Sequence, residues 1–250
     1  MPDEHLNDQE TKSPFTEHLS ELRDRLVRSF IAVGAGFVCA YFFKEKLFEI
    51  LTAPLVKAMA ESGNATLIFT GLPEAFFTYL KVSLLAGIVV ATPVLFYEFW
   101  MFVSPGLYRD EKKYLLPIVF LSMIFFVMGS SFGYFIVFPY GFQFFLGFAT
   151  ETIHAMPSMK EYLSFASKML LAFGFVFELP LVLTFMARMG LVTTDFLKKN
   201  RKYALLLFFV GAALITPPDV ITQIMMALPL MVLYEISIIG AVLFGKKTET

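Results

Sequence analysis

Apolar residues along this chain come in long blocks, not in the strict alternation of strands or the one-sided stripes of soluble helices. Six blocks stand out, at residues 27–43, 76–99, 114–138, 162–187, 203–216 and 221–244. Crossing ~30 Å of hydrocarbon as a helix takes about 20 residues. The first four blocks reach or approach that length. The fifth, "YALLLFFVGAALIT", would cover only about 21 Å as a helix, and it ends at "TPPD", where Pro217 and Pro218 remove two backbone donors and force a turn. Glu235 cuts the uninterrupted apolar part of the sixth block to a similar length. The last two blocks therefore predict a short helical hairpin, thinner than the bilayer.

The polar segments between the blocks predict helix as well. In "SPFTEHLSELRDRLVRSF", Ser13 is suited to an N-cap and Pro14 to the first helical position. Phe15, Leu19, Leu22 and Leu26 form one apolar stripe opposite Glu17, Glu21, Asp24 and Arg28. At i,i+4 spacing Glu21 can pair with Arg25, and Asp24 with Arg28. The stretch "FEILTAPLVKAM" has the spacing of a short interfacial helix. The expected organisation is one all-α polytopic membrane domain: a tail at 1–14, an amphipathic helix at 15–26, six transmembrane spans within 27–244, and a tail at 245–250.

Composition leaves no soluble alternative. Of 250 residues, 57% are hydrophobic and 16% charged, and mean hydropathy is +0.70, against about 45–50% apolar and about 25% charged in soluble domains. Charge is segregated: fourteen of the twenty Lys and Arg fall on one side of the predicted spans and four on the other, with Lys81 and Lys168 inside the segments. The positive-inside rule then puts both termini in the cytoplasm, as an even number of spans requires. The start of the chain lacks the basic and apolar regions of a cleavable signal. Cys39 is the only cysteine, which rules out an intrachain disulfide.

Catalysis is not expected, nor is a metal, a cofactor or a nucleic-acid partner. His5, His18 and His154 are the only histidines, and no GxSxG, HExxH or glycine-rich phosphate loop occurs. Two features invite another explanation. Carboxylates lie close to the cytoplasmic surface in "HLSELRDRL" and "SPGLYRDEKK", where an arginine pair from a partner could bridge them through charge-assisted hydrogen bonds. Helix caps and surface pairs account for the same residues. Glu178, inside "LAFGFVFELPLVLTF" with Pro180 two residues on, would cost about 2.5–3.5 kcal/mol facing lipid. A proton-coupled solute transporter would use such a residue, and a polar hollow would tolerate it.

Four motifs taken together, "HLSELRDRL", "SPGLYRDEKK", "AFGFVFELP" and "TPPDVITQ", resemble those of TatC, the receptor subunit of the twin-arginine protein translocase. The resemblance covers about residues 15–244. It implies six helices in a concave, glove-like arrangement with short helices five and six. It also implies binding of the twin-arginine signal peptides of folded precursors, assembly with the single-span subunits TatB and TatA, and export driven by the proton-motive force. A prokaryotic inner membrane and a homo-oligomer within the receptor complex go with it. By motif, Glu21 and Glu111 are expected to contact the signal arginines, with Arg23 needed for transport. Glu178 is expected to face the concavity. Thr216 and Gln223 are expected to contact TatB or TatA. Pro54, Pro217, Pro218 and Asp219 are expected to shape the outer loops. Gly106, Asp110 and Asp24 depart from the commoner family residues.

Overall fold

The computed structural model describes residues 14–61, 66–103, 115–150, 155–215 and 220–245. In chain order the helices are α1 (Pro14–Tyr41), α2 (Lys44–Glu61), α3 (Glu74–Val103), α4 (Leu115–Phe132), α5 (Phe138–Leu146), α6 (Met159–Val176), α7 (Leu179–Arg188), α8 (Thr194–Lys199), α9 (Arg201–Ile215) and α10 (Val220–Phe244). The described residues of all six apolar blocks are mostly helical. Among the described residues, four helical stretches are long and apolar enough to cross a membrane: Glu74–Val103, Leu115–Leu146, Met159–Arg188 and Val220–Phe244. The first block sits on α1, which meets α2 at an 88° bend.

Several boundaries differ from expectation. The amphipathic segment and the first block form one unbroken helix, because no Gly or Pro separates them. The third block does not end at Phe138. A π-helical turn over Gly133–Val137 leads directly into α5, and Pro139 sits in the first turn of α5, where its missing N–H costs nothing. Along α6, Leu163, Ala166, Met169 and Phe173 are fully buried, so this helix forms the centre of the core. Facing outward are Phe30, Ile31, Phe42 and Leu214, all more than 60% exposed, as a lipid-facing surface requires.

The expected hairpin is α9 with α10, of which α9 alone is short: α10 runs 25 residues, long enough to cross a membrane. Fifteen residues make α9, about 22 Å of helix. Arg201, its first residue, donates to Glu235 of α10 at 2.8 Å, so the ion pair marks one limit of the apolar part the two helices share. Beyond Glu235, α10 continues to Phe244.

At the opposite end, Glu74 fastens the segment before α3 to the start of α6. One carboxylate oxygen accepts from the Thr70 N–H at 2.7 Å, the Thr70 hydroxyl at 3.1 Å and the Gly71 N–H at 3.3 Å. The other accepts from the Ser158 hydroxyl at 2.6 Å and the Lys160 N–H at 2.9 Å. Ile68 and Ser158 complete the junction as a parallel β-bridge. In Glu74→Gln an amide takes the place of the charged acceptor, so exchange at the Thr70 and Gly71 amides, corrected for intrinsic rate, should speed up about tenfold, the value of a hydrogen bond to a charged group. Unchanged exchange would contradict the assignment.

Candidate functional site

The first half of α1 and the last turns of α3 build a charge network. Glu21, Arg25 and Arg28 lie about one and two turns apart on one face of α1, and α3 runs antiparallel beside it, bringing Glu98 to that face. Arg25 donates to one Glu21 oxygen through Nε and Nη2, and its Nη1 donates to Glu98 Oε2 at 2.9 Å. Arg28 Nη1 lies 3.6 Å from Glu98 Oε1. The Arg25 and Glu98 side chains are 13% and 7% exposed, whereas Glu21 is 34% exposed. Burial alone would lower the Arg25 pKa; the hydrogen bonds and charges of Glu21 and Glu98 outweigh it and raise it.

Glu21 thus has one oxygen held by its own chain. The other is turned towards His18, whose Nδ1 is 3.8 Å away and whose ring stacks on Phe102 at 4.4 Å. A carboxylate oriented by one guanidinium and open at its second oxygen is suited to accept another.

Of the two pairs expected on α1, Glu21–Arg25 forms and Asp24–Arg28 does not. Asp24 instead accepts from its neighbour Arg23 at 2.8 and 3.0 Å, while Arg28 turns to Glu98. A buried carboxylate attracts a guanidinium more strongly than an exposed one does. Arg23 itself is 75% exposed.

Glu178 occupies the break between α6 and α7, as the N-cap residue of α7 with Pro180 in the first turn. It is 7% exposed. With Thr92, Phe96, Trp100, Phe126 and Phe175 it lines a cavity of about 400 Å³ between α3, α4 and α6. Its Oε1 has no hydrogen-bond partner among the described residues. Next to the cavity, Trp100 Nε1 donates to Ser122 Oγ at 2.9 Å. The carboxyl therefore faces protein and a hollow, not the lipid surface.

Gln223 donates from Nε2 to the Phe209 carbonyl of α9 at 2.9 Å, tying the hairpin together. Pro54 lies inside α2. Glu111, Thr216, Pro217, Pro218 and Asp219 lie outside the described residues, so the network brings Glu21 together with Glu98 and leaves Glu111 unplaced. Glu98 escaped the sequence reading because it ends an apolar block. The available signal was a carboxylate in "FYEFW" with no basic residue three or four positions away, which demands a partner from another helix.

The family model described as Sec-independent protein translocase protein (TatC) matches residues 17–229. The Sec-independent protein translocase protein TatC of Desulforapulum autotrophicum is 78% identical over 98% of this chain and 90% of its own length. That of Escherichia coli K12 is 35% identical over 92% of this chain and 88% of its own. A crystal structure of the twin-arginine translocase receptor TatC superposes with a TM-score of 0.80 at 42% identity, covering 90% of this chain and 98% of that one. On both sequence and fold, the chain belongs to the TatC family of Sec-independent protein translocase proteins.

Proposed function

We propose that this protein is the signal-peptide receptor of a twin-arginine translocase, acting in protein transport and not in catalysis. The observation that carries this reading is the Glu21–Arg25–Glu98 network, which already holds a guanidinium between two carboxylates. An incoming arginine docks on the second oxygen of Glu21, and Glu111 takes the other arginine. Glu98 acts through Arg25, fixing the direction in which Glu21 points, and Arg23 stays available at the rim.

The apolar stretch of the signal then follows the concave face towards the cavity at Glu178, where a hydrogen-bonding group meets the unpaired oxygen. All six helical blocks cross a prokaryotic inner membrane, with both termini cytoplasmic. The α9–α10 hairpin, turned by Pro217, Pro218 and Asp219, and the outer helix carrying Pro54 leave a locally thinned bilayer. There TatB or TatA packs against Thr216 and Gln223, and several copies assemble into the receptor complex. Because the Gln223 amide N–H is committed to α9, its carbonyl oxygen is the group offered to a partner.

Binding of a fluorescent twin-arginine signal peptide to the full chain in nanodiscs tests the reading. Each of Glu21→Ala and Glu111→Ala should weaken binding about tenfold to a hundredfold, the value of a hydrogen bond to a charged group. A Lys-Lys peptide should bind less well, since an ammonium cannot make the two-pronged contact of a guanidinium. Affinity indifferent to all three changes would remove these residues from recognition.

A further inference from the structure

At the end of α3 far from the charge network, a cleft of about 500 Å³ opens between the first turns of α3 and α6. Thr70, Gly71, Glu74, Thr78, Lys81 and Lys160 line it. We infer that this cleft binds a phosphate-bearing anion, the headgroup of an acidic phospholipid in the leaflet on that side of the membrane.

Lys81 is the first anchor of the site. It lies within the apolar block at 76–99, about two turns into α3 from Glu74. An ammonium at that depth is costly unless its stem carries it back to the interface. Side chains on a helix lean towards its N-terminus, so Lys81 reaches towards the Glu74 end and into the cleft. Lys160, in the first turn of α6, leans the same way from the opposite wall. Two ammonium groups therefore converge on one cleft.

Neither has a carboxylate partner among the described residues. Of the other lysines at this end, Lys46 pairs with Glu49 at 2.7 Å, Lys44 lies over the Tyr41 ring at 4.3 Å, and Lys57, on α2, does not line the cleft. The carboxylate in the cleft wall, Glu74, directs its oxygens at Thr70, Gly71, Ser158 and Lys160 N–H, all of them backbone or hydroxyl donors. Two positive charges thus face one anion whose acceptor sites are filled, and the cleft retains an excess of donors. A phosphodiester, with several acceptor oxygens and one negative charge, satisfies it.

The rim argues for a lipid over a free ion. Phe69, Leu72, Phe76 and Phe77 are 59%, 95%, 55% and 55% exposed. These apolar groups beside the lysines are suited to acyl chains entering from the same leaflet.

Native mass spectrometry of the full chain in detergent, titrated with phosphatidylglycerol or phosphatidylcholine of matched chains, reads the occupancy. Phosphatidylglycerol should bind more tightly, and Lys81→Gln and Lys160→Gln should each weaken it about fivefold, with the double variant losing both increments. Lys81→Arg should keep the preference, and Lys46→Gln, altered outside the cleft, should match the wild type. Equal binding of the two lipids, or a double variant of unchanged helicity that keeps its preference, would overturn the proposal. Inorganic phosphate is the third arm: if it saturates the site at concentrations where phosphatidylglycerol cannot displace it, the cleft is a free-anion site and the lipid assignment fails.

Discussion

Arg25→Met should lower the stability of the protein by about 3 kcal/mol, measured by denaturation in detergent micelles. The figure is the lower end of the cost of breaking a buried ion pair. Glu98, 7% exposed, would lose its 2.9 Å contact with Arg25 and keep only Arg28 at 3.6 Å. A carboxylate left with that longer contact alone then sits between helices where water reaches it poorly. Because the cost comes from the stranded charge, Arg25→Met combined with Glu98→Gln should recover most of the loss: replacing both partners of a buried pair is often close to neutral. Arg23→Met should cost under about 1 kcal/mol, since that arginine pairs with Asp24 where both are largely exposed. Equal losses for Arg23→Met and Arg25→Met, or no recovery in the double variant, would refute this account of the network.

The sequence carried the spans and their order because lipid makes one demand of every residue in a spanning helix. Long apolar blocks meet it visibly, and nearly every block became helix over nearly its whole length. Breaks were legible where covalent chemistry imposes them, as at Pro180, which follows Glu178 into the first turn of α7 at a packed junction between helices. Boundaries failed where packing, not composition, decides them. Pro139 directly follows the third apolar block, yet a π-helical turn before it places it where a helix accepts proline.

The site shows the same division. Glu21 and Glu178 could be picked out from local sequence, one in a motif on an amphipathic face and the other as a charge in an apolar run. The roles of Glu98 and Glu74 could not be assigned that way, even though "FYEFW" shows a carboxylate without a local partner, because what defines each is a set of partners far away in the chain. Arg25 lies on another helix from Glu98, and Ser158 and Lys160 come from the opposite wall of the cleft at the start of α3. The wrong pairing of Asp24 with Arg28 has the same origin: helical spacing offers both partners, and a buried carboxylate from α3 changes which one Arg28 takes.

That carboxylate reaches α1 only because the two helices approach backbone to backbone at Gly36 and Gly87. A Cβ built on Gly36 would lie 2.6 Å from the Gly87 carbonyl oxygen, and one built on Gly87 would lie 2.6 Å from the Phe37 nitrogen and 2.8 Å from its Cα. No flexible side chain stands at this contact to give way, so even one methyl group must push the helices apart. About three turns of α1 separate Gly36 from Arg25, and about three turns of α3 separate Gly87 from Glu98. The glycine contact and the ion pair are thus two points on one helix–helix seam, and spreading the first strains the second. Gly87→Val should therefore cost about 1–3 kcal/mol from overpacking, with a further loss as the Arg25–Glu98 bond lengthens. Gly87→Ala should show a smaller part of the same effect. Gly34 serves as the control, since a Cβ there meets nothing within 4 Å, and Gly34→Ala should leave stability near the wild-type value. If the seam couples the two points, Gly87→Val in an Arg25→Met, Glu98→Gln background should cost less than it does alone, because no ion pair remains to be stretched. Identical costs in the two backgrounds would mean that the glycines set helix spacing without setting the geometry of the network.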